Sequence, residues 1–197
     1  MNLQAGPLSP ETTHPQLSII SPALTNSATR SGNGGTSTKT PDIAPCTNRY
    51  DLAASKRPGR PVLSASRNTP RLVKTDASGV STLEISMLER HAYTSQSFMP
   101  MGGSDKVGYI AVVADSDQSG SRPDLTTLRA FTVRGKDGIC YGAGLWHAPM
   151  AVVGKVGQRV SKLTPDHGLW NLSVCQRRSG GGLRDGRLGC PNNNIMA

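Results

Sequence analysis

The sequence has 197 residues, 36% hydrophobic and 4% aromatic, with 22 glycines and 14 prolines, a composition too lean for one continuous core of that length. No apolar run approaches the ~20 residues of a membrane helix, and the N-terminus lacks the basic and apolar regions of a secretory signal, so the chain reads as soluble and cytoplasmic, with no membrane partner. The net charge of +9 does not point to a nucleic-acid partner, because more than half of the excess lies after residue 150, where seven Lys or Arg accompany two Asp.

In chain order, residues 1–45 are rich in Ser, Thr, Pro, Asn and Gly, with one apolar patch at "LSII", Leu17 to Ile20. Composition predicts loop or disorder here, and a low-complexity segment over residues 1–40. "SGNGGTSTK", Ser31 to Lys39, lacks the spacing of a phosphate-binding loop and reads as a flexible linker. "SKRPGRP", Ser55 to Pro61, could enter an A·T minor groove. A single copy without basic flanks reads better as a Pro-stiffened connector.

From residue 80 to 153 the character changes. "LEISML" (Leu83–Leu88), "VGYIAVVA" (Val107–Ala114), "TLRAFTV" (Thr127–Val133) and "WHAPMAVV" (Trp146–Val153) are short, β-rich and bounded by turn residues. They predict strands of an all-β sandwich or barrel, with the polar Asp115–Asp124 as a loop between two of them. After Val153 no apolar period survives, and residues 155–197 are too Gly- and Arg-rich to offset their ordering entropy. Cys46, Cys140, Cys175 and Cys190 include no C-x-x-C pair, which leaves a zinc finger or ribbon unsupported and four free thiols as the expectation.

Two clusters carry chemistry. In "MLERHAYTSQSFMP", Glu89 and His91 share a face if the strand continues through them, and a carboxylate beside an imidazole can bind a metal or move a proton. In "YGAGLWHAPM", glycines and Pro149 fix the chain around His147. The plain alternatives are a surface Glu–His pair and a structural histidine.

"MLERHAYTSQSFMPMGG", "YIAVVA", "RPDLTTLRAF" and "GICYGAGLWHAPMAVVG" come one after another in the order and spacing of the ureidoglycolate lyase family. The chain resembles that family strongly over residues 83–154, less over 41–75 and faintly before that. The specific signature is E-R-H-x(4)-Q-x-F-x-P and, further on, G-x-x-H-x-P. The resemblance implies a cupin-like double-stranded β-helix barrel over residues 41–154. It also implies a carbon–nitrogen lyase of the amidine-lyase type, which converts ureidoglycolate to glyoxylate and urea in allantoin and purine nitrogen catabolism. Family members are generally homodimers, and some carry a divalent metal such as nickel.

Ureidoglycolate is a hemiaminal, so its cleavage needs a base for the hydroxyl proton and a donor for the departing nitrogen. On the matching positions, His147, His91 and Glu89 are the expected acid–base residues, or the ligands if a metal is bound. Imidazoles with reference pKa values near 6.5 can fill either role at neutral pH. Arg129 is expected to hold the substrate carboxylate, with Arg67 behind it. Gln96, Tyr109 and Tyr141 are expected to hydrogen-bond the ureido group.

The resemblance ends near residue 154. Residues 155–197 are expected to be a divergent, disordered tail that leaves the barrel incomplete at its C-terminal end, with "LWNLSV", Leu169 to Val174, as the only substitute strand. A retained intron or a shifted reading frame would give such a break. Three other readings accompany the lyase: an inactive member with a disrupted barrel, a cupin of another metal-dependent activity, and a small DNA-binding protein using "KRPGRP".

Overall fold

The computed structural model describes residues 2–153, 169–178 and 195–196. These residues are all-β, with three 3-10 turns and no α-helix. The first strands are β1 (Ala5–Pro7), β2 (Leu17–Ile20), β3 (Arg30–Gly32), β4 (Ser37–Lys39) and β5 (Gly59–Asn68). Three short strands come after them: β6 (Lys74–Thr75), β7 (Ser81–Thr82) and β8 (Met87–Leu88). Next come β9 (Gln96–Met101), β10 (Val107–Ala114), β11 (Arg129–Arg134), β12 (Gly138–Tyr141), β13 (Trp146–His147) and β14 (Ala151–Val152). The last two are β15 (Leu169–Arg178) and β16 (Ile195–Met196).

Two five-stranded sheets carry the fold. The first runs β1-β11-β10-β13, and β14 joins the same edge of β10 as β13. The second runs β2-β12-β9-β15-β5. Strand β10 lies at the centre of the first sheet, and its apolar run is what a strand covered on both faces requires. Tyr109, Ala111 and Val113 pack with Phe131, Val133, Leu17, Ile139 and Tyr141 between the sheets. Val112 and Ala114 pack on the other face with Leu88, Trp146 and Ala148. Two facing sheets around one core agree with the cupin-like expectation.

The first 45 residues depart from the loop reading that their composition suggests. β1 pairs in parallel with β11, β2 pairs antiparallel with β12, and Leu17 is 1% exposed. Neither strand could stand alone; each is stabilised by the edge that it joins, a tertiary gain that local composition does not register. The Gly-rich "SGNGGTSTK" forms the β3–β4 hairpin, where Gly34 and Gly35 take φ of +63° and +97°, conformations that favour glycine.

The connector reading of "SKRPGRP" holds only to Pro58, because Gly59 to Pro61 open the ten-residue β5. Pro61 is tolerated there because β5 is the edge strand of its sheet. Of Leu83–Leu88 only β8 is strand, and Trp146–Val153 divides into β13 and β14 around Pro149. Leu169–Val174, the substitute strand expected within the tail, lie in β15, which pairs with β9 on one side and β5 on the other. Trp170, Leu172 and Val174 alternate with polar residues, the period-two pattern of a strand. The rest of the expected disordered tail, over 155–168, 179–194 and 197, lies outside the described residues.

If residues 2–20 belong to the domain, Leu17→Ala should cost about 2–5 kcal/mol, the range for emptying a buried leucine site. Urea denaturation of the two proteins tests this. A cost below about 0.5 kcal/mol, the level of an ordinary surface change, would show that the segment is peripheral.

Candidate metal and acid–base site

The site forms where the segment after β8 meets β13. Glu89 and His147 pair as an isolated antiparallel bridge. The Glu89 N–H donates to the His147 carbonyl and the His147 N–H to the Glu89 carbonyl, both at 2.8 Å. On its other side His147 is held opposite Val113 of β10. His91 is fixed through its carbonyl, which accepts the Gly144 N–H at 2.9 Å. Gly144 takes φ of +87° in the turn from β12 to β13, so a glycine belongs there.

Glu89, His91 and His147 converge, with one ligand atom from each lying within 4.8 Å of the others. Glu89 Oε1 is 3.8 Å from His147 Nε2. The Tyr141 ring stacks on the His147 ring at 4.0 Å and 11°, and the His91 ring centroid lies 5.6 Å from that of His147. His147 and Tyr141 are buried, His91 nearly so, and Glu89 half-buried.

His147 Nδ1 lies 2.9 Å from the Leu145 carbonyl. A carbonyl only accepts, so the network assigns the proton to Nδ1 and leaves a lone pair on Nε2. Burial foremost, and His91 after it, lower the His147 pKa against the Leu145 carbonyl, which raises it, and together they bring it to about 3. His147 is therefore neutral at physiological pH, and its 3.8 Å contact with Glu89 is no ion pair. This corrects the expectation that His147 could serve as an imidazolium donor at neutral pH. Tyr141 is held protonated, its pKa raised by burial and by the Glu89 charge.

The Nε2 atoms of both histidines are buried with no hydrogen-bond partner. An orphaned buried polar atom costs about 1–3 kcal/mol, a penalty that a ligand at this point would remove. Two imidazole nitrogens and one carboxylate suit a first-row divalent cation with open coordination positions. The donor set fits a metal.

The other residues singled out in the sequence are distributed unevenly. Gln96 faces Tyr141 in the β9–β12 register, and its Oε1 is buried without a partner. Arg129 pairs with Val113 on the edge of β10 opposite His147, so Arg129, Val113 and His147 form one row across the sheet. Arg129 lines a cleft with His14, Gln16, Asp115, Thr126 and Thr127. Tyr109 is not brought to the site. It lies four residues back along β10, and its hydroxyl donates to the Asp137 carbonyl at 2.7 Å. Arg67 is exposed on β5, in the row of Met101 rather than that of Gln96, roughly 16 Å along the sheet at ~3.3 Å per residue.

Sequence reasoning missed His14. It is 5% exposed, its Nδ1 accepts the Gln16 N–H, and its Nε2 lies 3.1 Å from Asp115 Oδ1. A lone histidine in a Thr- and Pro-rich stretch shows no period that would mark it as buried.

A family model described as ureidoglycolate lyase matches residues 1–164. The ureidoglycolate lyase of Saccharomyces cerevisiae is 51% identical over 72 residues, 36% of this chain and 36% of that protein. That of Schizosaccharomyces pombe is 34% identical over 126 residues, 64% of this chain and 65% of that protein. That of Burkholderia cepacia is 34% identical over 128 residues, 65% of this chain and 61% of that protein. The chain thus spans between about a third and just under two thirds of the length of these curated relatives.

The neutral His147 has a consequence for acid stability. Between pH 6.5 and about 3 the unfolded chain binds a proton at this residue and the folded chain does not. Stability therefore falls as pH drops through that window, by up to about 1.4 kcal/mol per pH unit. In protein stripped of divalent cations with a chelator, His147→Gln should flatten this share of the acid slope. Identical slopes for the two proteins in urea titrations across the window would disprove the neutral assignment.

Proposed function

The chain belongs to the ureidoglycolate lyase family, and we propose that it cleaves ureidoglycolate to glyoxylate and urea as a carbon–nitrogen lyase of the amidine-lyase type. The observation that carries this reading is the convergence of Glu89, His91 and His147, with one ligand atom of each within 4.8 Å of the others and the Nε2 atoms of both histidines buried without a partner.

The substrate places a hydroxyl, a carboxylate and a ureido nitrogen on one carbon. Glu89 takes the hydroxyl proton, the oxygen's electron pair closes the glyoxylate carbonyl, and the C–N bond breaks. The same carboxyl then returns its proton to the departing nitrogen, so urea leaves neutral and no net proton is consumed. A shuttle of this kind needs no imidazolium, which suits a His147 that burial keeps neutral. Without a bound cation, His91 and His147 orient the substrate's hydroxyl and N–H groups through their unpartnered ring nitrogens.

Glu89, His91 and His147 would hold a divalent cation such as nickel, which when bound supplies Lewis-acid stabilisation of developing negative charge. Arg129, in the row of His147 and exposed at the sheet end, takes the carboxylate. Its guanidinium can bind both oxygens at once. Gln96 and Tyr141 take the ureido group, while Tyr109, committed to Asp137, serves the core. Arg67 stands too far along the sheet to contribute. The protein acts as a cytoplasmic homodimer in allantoin and purine nitrogen catabolism, and exposed Leu63 and Met101 on the second sheet offer apolar surface for a second copy.

Glu89→Gln and His147→Gln should each lower kcat for glyoxylate release by ~10²-fold or more, the scale of a positioned acid or base. Either variant retaining near-wild-type turnover would remove that residue from the mechanism. Arg129→Lys should raise KM with little change in kcat, since a point charge replaces a bidentate fork. Unaltered KM would assign the carboxylate to other donors.

A further inference from the structure

Glu89 and His91 project toward His147, so the residue between them must project the other way. The same alternation sends Trp146, between Leu145 and His147, to the opposite face, where it packs with Val112 and Ala114. Arg90 and Trp146 therefore meet behind the site. The Arg90 guanidinium lies over the Trp146 ring at 4.7 Å from its centroid. Arg90 Nη1 donates to the Gly120 carbonyl at 2.5 Å and to Ser116 Oγ at 3.3 Å. Ser116 Oγ also accepts the Trp146 Nε1–H at 3.2 Å. Among the described residues Arg90 makes no ion pair. Its charge is held by an aromatic face and a carbonyl rather than by an acid.

We propose that Arg90 is a positioning residue that fixes Glu89 and His91 against His147 from the outer face of the first sheet. The segment carrying Glu89 and the strand carrying His147 are joined directly by one bridge of two hydrogen bonds. Besides that bridge and the Gly144 N–H on the His91 carbonyl, both on backbone atoms, the segment needs a hold on its outer face. Arg90 supplies the hold by joining three pieces: its own segment, β13 through Trp146, and the 115–124 loop through Ser116 and Gly120. The cation–π contact and the two hydrogen bonds of Nη1 act together on that face. A lysine could keep its charge over the indole, but its single ammonium cannot both lie over the ring and reach Gly120 and Ser116, as the broader guanidinium does through Nη1.

The catalytic side of this inference rests on the lyase reading above, and the structural side does not. The experiment therefore has two arms, applied to the full chain with Arg90→Ala and Arg90→Lys. In hydrogen exchange, the Glu89 and His147 amides should lose protection at least ~10-fold in Arg90→Ala, while Ala111 and Val112 of β10 keep theirs. Arg90→Lys should fall between wild type and Arg90→Ala, and it serves in place of the alanine variant if that one does not fold. In turnover of ureidoglycolate, kcat should fall about 10–100-fold, the usual cost of losing an outer-shell partner, with KM within about threefold. Wild-type protection of the two bridge amides in the variants overturns the proposal. So does an equal loss of protection in β10, which would make Arg90 a general structural residue, and so does a rise in KM with kcat unchanged. If the wild-type protein does not turn over ureidoglycolate, the lyase reading fails, and the exchange arm still decides the role of Arg90.

Discussion

Two backbone hydrogen bonds, exchanged between Glu89 and His147 at 2.8 Å each, set the geometry of everything chemical in this protein. They bring together residues far apart in sequence and fix their register, and in a strand register decides which face each side chain takes. A slip of one residue would send Glu89 and His91 outward and bring Arg90 into the site. The bridge is short, so its neighbours guard the register. β10 holds His147 through Val113, and Gly144 holds the His91 carbonyl. The donor atoms thus project from extended backbone pinned to the centre of a sheet, which holds them more firmly than a free loop could.

This arrangement is destabilising by the usual rules of core construction. His147 is 1% exposed, yet one ring nitrogen has no partner, and the same is true of His91 and of the Gln96 carbonyl oxygen. A core selected only for stability would put apolar side chains at these positions, since each orphaned group costs about 1–3 kcal/mol. Two of these orphans, the Nε2 atoms of His91 and His147, belong to residues that together with Glu89 offer a metal donor set. Broken packing rules concentrated at one place mark a site that gives up stability for binding. The aromatic core of Tyr109, Phe131 and Tyr141 with Ile139 and Leu17 offsets that loss.

The legible parts of the sequence were those in which local pattern and tertiary role coincide. Val107–Ala114 is strand in both readings because an unbroken apolar run belongs at the centre of a sheet. Glu89, His91 and His147 could be named because their i,i+2 spacing and Gly/Pro-framed histidine are local signals, and the three converge in space. β1, β2 and β5 were illegible because they are edge strands, β1 and β5 rich in Gly, Pro, Ser and Arg and β2 only four residues long, whose extended state is imposed by neighbours. Tyr109 and Tyr141 are both buried aromatics on central strands, and spacing alone could not tell the one bonded to Asp137 from the one stacked on His147. The reference pKa of histidine misled for a related reason: desolvation is a property of the assembled core and has no signature in the residues beside His147.

The N-terminal segment ties these observations together. Leu17 sits opposite Tyr141 in the β2–β12 register, and the Gln16 carbonyl accepts the Gly142 N–H at 2.7 Å. The turn that positions Gly144, and through it His91, is thus braced by residues 16 and 17. Two residues before Gln16, His14 reaches Asp115, the residue that follows β10, on the wall of the cleft that Arg129 also lines. A segment that composition would discard therefore touches both ends of the β10 row that carries Arg129, Val113 and His147. Its few apolar residues are enough because they do not build a core of their own. They close one that β10, β11 and β12 leave open at the edge, so each buried side chain there acts on the geometry of the site as well as on the stability of the fold.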